Sequence, residues 1–209
     1  MAESIKLYHL GASPNCMKAR IALAYKGLAY ESIAVDPKDR SEVVKVSGQP
    51  LTPVLVHGDR VIFDSSAILR YLDANFRSTK PLFSGDYETM GAIERWERLG
   101  RNELSEPIGI AFRQLMSGKP DAAELARASA LLNERTGSLE ARLREGDWLV
   151  GNAMTAADVV VAPAVHYGVE PQHDVSGNPM QQFVADNLKV GAGRDKTRAW
   201  VRRVMAWDK

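Results

Sequence analysis

The spacing of apolar residues changes once along this chain, near residue 77, and that change limits the folds open to it. Before it, strand-like alternation and helical spacing take turns; beyond residue 84 no convincing strand pattern occurs. Ile5, Leu7 and His9 alternate with Lys6, Tyr8 and Leu10, as in a strand covered on both faces. Met17, Ile21, Ala24, Tyr25 and Leu28 then fall at helical spacing, with Gly27 placed to end the helix. Residues 29–35 alternate again. Strand, helix and strand within about 30 residues make a βαβ unit, with parallel strands and a right-handed crossover.

Asp36-Pro37 breaks the pattern, and a short helix is expected over Arg40 to Val46. Val54-Leu55-Val56 and Val61-Ile62-Phe63 flank a Gly58-Asp59 turn, the signature of an antiparallel hairpin. Asp64-Ser65-Ser66 can cap a further helix, whose apolar face is Ile68, Leu69, Leu72 and Phe76. Residues 1–77 therefore predict an α/β domain of order βαβ-α-ββ-α. Residues 78–84, with Lys80-Pro81, read as a linker. Residues 85–209 predict an all-α helical bundle. A long helical stretch over 86–117 is bent near Glu106-Pro107, and a second helix covers 121–145. Thr155-Ala-Ala-Asp158 is a capping-box pattern before the apolar run Val159 to Val165, a helix expected to be buried all round. Residues 166–178 read as irregular and 179–189 as a short helix. A last helix from Asp195 should carry Ala199, Trp200, Val204 and Trp207 on one face, with Arg194, Arg198, Arg202 and Arg203 solvated opposite.

The 209 residues are enough for two cores. A net charge of +1 argues against a nucleic-acid partner or an anionic membrane. The single cysteine excludes an intrachain disulfide and suggests a reducing compartment. Met1-Ala2-Glu3-Ser4 lacks a signal-peptide pattern and no apolar run is long enough to span a membrane, so a cytoplasmic location is expected. His9, His57, His166 and His173 lack metal-ligand spacing, and no metal site is expected.

Three stretches of the first domain carry chemistry. Ser13-Pro14-Asn15-Cys16 stands where the first strand gives way to a helix. Serine favours the N-cap and proline the next position, which puts Ser13 at the positive end of a helix dipole, a place that stabilises an anion such as a thiolate. The same residues also start ordinary helices, so the other stretches must decide. Leu51-Thr52-Pro53 precedes the third strand; a cis bond there would leave the N–H and C=O of Thr52 free to pair with an extended peptide. Asp64-Ser65 offers acceptors for an amine and backbone donors for a carboxylate. A ligand touching all three is a short peptide with a zwitterionic end and a central group in need of anion stabilisation. Glutathione has that shape.

On these motifs the chain resembles the glutathione transferase family along nearly its whole length. Ser13-Pro14-Asn15-Cys16-Met17-Lys18 is similar to the serine-type N-terminal motif. The segment from Ser41 to Pro53 resembles the approach to the family's cis-proline, although Ser47-Gly48 and Leu51-Thr52 depart from the commoner residues. Asp64-Ser65-Ser66 looks like the family's Glu-Ser helix start, and Thr155-Ala-Ala-Asp158 like the capping box of its helical domain. The resemblance implies a thioredoxin-like first domain, glutathione as co-substrate, and Ser13 as the catalytic hydroxyl donating to its sulfur. It implies Thr52 and Pro53 at the cysteinyl backbone, Asp64 and Ser65 at the γ-glutamyl end, and Lys38 at the glycyl carboxylate. A small electrophile is expected in a cleft between domains, near the loop from Tyr8 to Ala12 and near Phe112 and Met116. The family also implies a homodimer.

A free thiol with pKa near 8.5 is only about 3% thiolate at neutral pH, so lowering it by roughly two units makes most of it reactive. One charge-assisted hydrogen bond and a helix N-terminus, about 1.5–3 and 0.3–1 kcal/mol, can supply that shift. Cys16, three residues on, reads as a buried small apolar residue, which disfavours thiol–disulfide exchange. Two rivals remain open: a glutathione-dependent peroxidase, isomerase, dehalogenase or ether-cleaving enzyme, and a non-catalytic binding module on the same fold.

Overall fold

A computed structural model describes residues 4–169 and 179–209. His173 and the opening Met1-Ala2-Glu3 lie outside the described residues. The chain divides into two compact units, Met1–Phe83 with Trp207–Lys209, and Ser84–Ala206.

The first unit is built as β1 (Ile5–His9), α1 (Pro14–Lys26), β2 (Glu31–Ala34), α2 (Ser41–Ser47), β3 (Val54–His57), β4 (Arg60–Phe63) and α3 (Ser65–Asn75). The four strands lie in the order β2-β1-β3-β4. β1 runs parallel to β2 and antiparallel to β3, and β3 antiparallel to β4. Alternation along the strands sorts the core into two faces. Tyr8 and Val54 pack with Val43 of α2, joined by Ile33, Val35, Val46 and Val56. Leu7 and Leu55, opposite each other in the register, are fully buried on the other face, where α1 and α3 bring Ile21, Leu23, Ile68, Leu69 and Leu72. Each such side chain contributes about 1.5–3 kcal/mol on burial. Gly27 ends α1 at φ 69°, a left-handed turn that glycine adopts without strain.

The stretch expected as a linker is fastened to this unit. Asp73 accepts from Leu82 N–H at 2.8 Å and Phe83 N–H at 3.2 Å, and pairs with Lys26 Nζ at 2.8 Å. Trp207 lies beyond the end of the last helix instead of sharing a face with Trp200. Its ring meets Tyr25 edge-on at 5.4 Å.

The second unit holds α4 (Tyr87–Leu99), α5 (Ser105–Met116), α6 (Ala122–Glu145), α7 (Ala156–Val165), α8 (Pro179–Asn187) and α9 (Asp195–Met205). In the region where a bend is expected, a π-helical turn, Gly100–Leu104, separates α4 from α5, and Pro107 lies in the first turn of α5. Pro107 has no N–H for the carbonyl of Glu103. The Arg135 guanidinium donates to that carbonyl instead, and to Glu106 Oε2 at 2.6 Å. Gly100 lies against α7, where a Cβ would come within 3.1 Å of Val161 Cγ2 and 3.2 Å of Val160 Cγ1.

Every residue of α7 is buried. At its start Asp158 accepts from Thr155 N–H (2.9 Å) and Oγ1 (3.1 Å), Leu149 N–H (3.0 Å) and Trp200 Nε1 (2.9 Å). α9 buries Thr197, Trp200, Val201 and Val204, but Ala199 is exposed. Its arginines are not a plain solvated face: Arg198 donates to Gly191 O at 2.9 Å and Arg194 to Asn133 O at 3.1 Å. The Asn133 carbonyl also accepts from Thr136 Oγ1 at 3.0 Å, so Arg194 adds a second donor there.

Candidate functional site

The strand register brings the three chemistry-bearing stretches to one end of the sheet. Tyr8 pairs with Val54, and Val54 with Phe63. The residues beyond those pairs, Leu10 to Ser13, Thr52-Pro53 and Asp64-Ser65, therefore leave the sheet at the same edge. His9 pairs with Ala34, so the loop carrying Lys38 and Arg40 leaves there too.

Ser13 is the N-cap of α1, with Pro14 at the first helical position. Among the described residues its side chain makes no capping hydrogen bond, contrary to the ordinary use of an N-cap serine. Its carbonyl accepts from Met17 N–H at 3.0 Å, so the backbone is committed to the helix and the hydroxyl is not. The N–H groups of Asn15 and Cys16 belong to the first turn, which has no helical acceptors for them. Cys16 is fully buried, and its Sγ accepts from Leu10 N–H at 3.3 Å.

The Thr52–Pro53 bond is cis. The segment before it is braced by Gln49, whose Oε1 accepts from Leu51 N–H at 2.6 Å and whose Nε2 donates to Ser47 Oγ and Leu51 O. Pro53 is buried, Thr52 half-buried and Leu51 exposed.

Asp64 caps α3: its Oδ1 accepts from Ser66 N–H at 2.8 Å and Ala67 N–H at 3.3 Å. Its φ of 70° lies where L residues are strained, an outlier of the kind that collects at binding sites. Ser65 is buried directly after it.

Lys38 is exposed, with its backbone N–H donating to Asp36 Oδ1 at 2.8 Å. Arg40 escaped the sequence reading. It is half-buried at the start of α2, and its Nη1 is enclosed without a hydrogen-bond partner among the described residues. A basic residue two positions from Lys38 was the available signal.

Tyr8 belongs to β1, not to the loop after it. At 7% exposure it packs under α2 with Val43 and Val54, so its side chain stands in the core and not at a pocket wall. In the second unit Phe112 is half-buried and Met116 is 80% exposed at the end of α5.

His9 is buried at the end of β1, with Nε2 2.7 Å from Ser32 Oγ. Burial first, and the Arg20 guanidinium second, hold its pKa below the usual imidazole value. It stays neutral at neutral pH. Among the described residues no group of three or more His, Cys, Asp or Glu side chains is placed to hold a metal ion, and no helix is long and apolar enough to cross a membrane.

Comparison with known proteins follows the same division. Residues 7–80 match the family model for the glutathione S-transferase N-terminal domain and residues 102–208 that for its C-terminal domain. Glutathione S-transferase F10 of Arabidopsis thaliana is 29% identical over 164 residues, covering 74% of this chain and 76% of its own. Elongation factor 1-gamma 2 of rice (Oryza sativa subsp. japonica) is 29% identical over 167 residues, covering 77% of this chain but 40% of its own. A rice glutathione S-transferase solved in complex with glutathione superposes with a TM-score of 0.78 at 22% identity, covering 97% of this chain and 86% of that one.

Proposed function

This chain belongs to the glutathione S-transferase family, and we propose that within it the chain is an enzyme whose Ser13 hydroxyl activates the glutathione thiol for attack on a small, apolar electrophile. The observation that carries the reading is an N-cap serine whose hydroxyl is not spent on its own helix. It stands at the sheet end that also bears Thr52 and Asp64-Ser65. In the proposed mechanism the hydroxyl donates to the thiolate, and the first-turn amides of α1 add favourable potential. Thr52 pairs its backbone with the cysteinyl residue. Asp64 and Ser65 hold the γ-glutamyl end: Oδ1 of Asp64 is engaged in capping, and its other oxygen faces the ammonium. The glycyl carboxylate lies between Lys38 and Arg40, where the enclosed Nη1 of Arg40 supports a charged partner. Catalysis is then mostly positioning and thiol ionisation.

The protein works as a homodimer in the cytoplasm, where glutathione is kept as the thiol.

The test is the purified full chain with glutathione and a panel of aryl halides, epoxides and peroxides, beside Ser13→Ala. Loss of one charge-assisted hydrogen bond should lower kcat/KM by about 10- to 100-fold, with the KM for glutathione changed less than about threefold. Full activity in Ser13→Ala removes the serine from the mechanism. The likeness to an elongation-factor subunit favours a second reading, a binding module without turnover. Retention on immobilised glutathione with no turnover anywhere in the panel would support that instead.

A further inference from the structure

Two residues that the sequence reading passed over meet behind the turn that carries Ser13. Arg20, in the second turn of α1 and 7% exposed, donates from Nη1 to Leu10 O at 3.2 Å and from Nη2 to Gly11 O at 3.0 Å. Its Nε and Nη2 donate to the two carboxylate oxygens of Asp208 at 2.6 and 2.8 Å. Nη1 also lies 3.2 Å from His9 Nδ1. The Leu10 carbonyl held by Arg20 is the one that accepts Ser13 N–H, at 3.3 Å. The outer side of the turn has little to hold it, since a Cβ built on Gly11 would meet nothing within 4 Å.

The arrangement suits arginine and no other side chain. A guanidinium presents five donors in a rigid planar fork, so one edge can take a carboxylate while the other takes carbonyls. A lysine ammonium carries the same charge but cannot span Asp208 and both carbonyls at once. Asp208 in turn offsets the cost of burying the cation and sets the plane of the fork. No bond runs from Arg20 to the Ser13 side chain, so its influence on the hydroxyl passes through the backbone of the turn.

We propose that Arg20, held by Asp208, is a positioning residue for Ser13: it fixes the Leu10 and Gly11 carbonyls and thereby keeps the serine hydroxyl aimed at the bound thiol. This rests on the reading of Ser13 as the thiol-activating group. A displaced hydroxyl forms a poorer hydrogen bond to the thiolate, and the bound thiol then titrates closer to its free value.

The experiment is an ultraviolet titration of the thiolate in the glutathione-saturated full chain, with glutathione Kd and thermal melting measured alongside. The variants are Arg20→Lys, Asp208→Asn, Ser13→Ala and the double variant Arg20→Lys/Ser13→Ala. Both Arg20→Lys and Asp208→Asn should lower the thiolate fraction near pH 6.5 by about three- to tenfold, with the Kd changed less than about threefold. In the Ser13→Ala background, adding Arg20→Lys should change that fraction by less than about 1.5-fold, because the group it positions is gone. Should Arg20→Lys fail to fold by circular dichroism, Asp208→Asn decides. A lowered melting temperature with an unmoved titration in both single variants would mean a merely structural role and overturn the inference, while a shift in Ser13→Ala alone leaves the serine reading standing. Full additivity in the double variant would mean that Arg20 acts on the thiolate by a route that does not pass through Ser13, and the positioning role is lost. If Ser13→Ala also titrates like the unaltered chain, or the chain binds no glutathione, both readings fall together.

Discussion

Helices α1 and α7 begin in opposite ways. At α1 the N-cap is Ser13, half-buried, and its hydroxyl makes no capping bond among the described residues. At α7 Asp158 is fully buried and accepts four hydrogen bonds, from Thr155 twice, from Leu149 and from Trp200. The first start keeps polar groups in reserve; the second commits all it has to the fold. A reserved hydroxyl costs little where a ligand or water can satisfy it. Deep among the buried helices of the second unit the same reserve would cost the full desolvation of the group. Asp64 falls between them, with one carboxylate oxygen spent on capping α3 and a φ of 70°.

The contrast breaks first at Asp158. Asp158→Ala strands buried donors from three segments, and we expect it to cost about 3–5 kcal/mol, measured by urea unfolding of the full chain. A loss below 1 kcal/mol would mean that α7 does not depend on its start. Asp64→Asn keeps a capping oxygen while removing the charge. Stability should change by less than about 0.5 kcal/mol, and glutathione affinity by calorimetry should fall about tenfold if the carboxylate meets the ligand's ammonium. Equal affinity would confine Asp64 to capping. The finest test pairs Thr155→Ala with Ser13→Ala. Thr155→Ala should destabilise by about 1 kcal/mol, as a cap that bonds does, and Ser13→Ala by less than about 0.5 kcal/mol because it has no cap bond to lose. Equal losses in the two melts would erase the distinction.

Much of the first unit could be read from local pattern. Alternation and helical spacing gave the βαβ unit and the hairpin within a residue or two, because strand and helix periods are properties of neighbours in sequence. Ser13, Thr52 and Asp64 could be singled out because cap, pre-proline and helix-start chemistry is local as well. Period alone does not say which face of a sheet a helix will cover, and α2 covers the face that carries Tyr8. Arg194 and Arg198 fall where an amphipathic pattern puts solvent-facing charges, yet Arg194 donates to the carbonyl of Asn133, 61 positions away, and Arg198 to that of Gly191 in the loop before its helix. The carbonyl left without a helical donor by Pro107 could be read from the missing N–H, but its partner, Arg135, stands 28 positions further on and only the fold brings it there.

By itself, then, the sequence determined the two-part organisation, the order of elements and which short stretches carry polar chemistry, since each follows from residues within one turn or strand of one another. Tertiary structure alone decided which charges were drawn inward. Arg20 and Asp208 are 188 positions apart, and Glu140 of α6 accepts from Thr197 N–H at the start of α9 at 2.9 Å, 57 positions away. No periodicity encodes such pairs: a buried charge is tolerable only when its partner arrives from elsewhere in the fold, and only packing brings the two together.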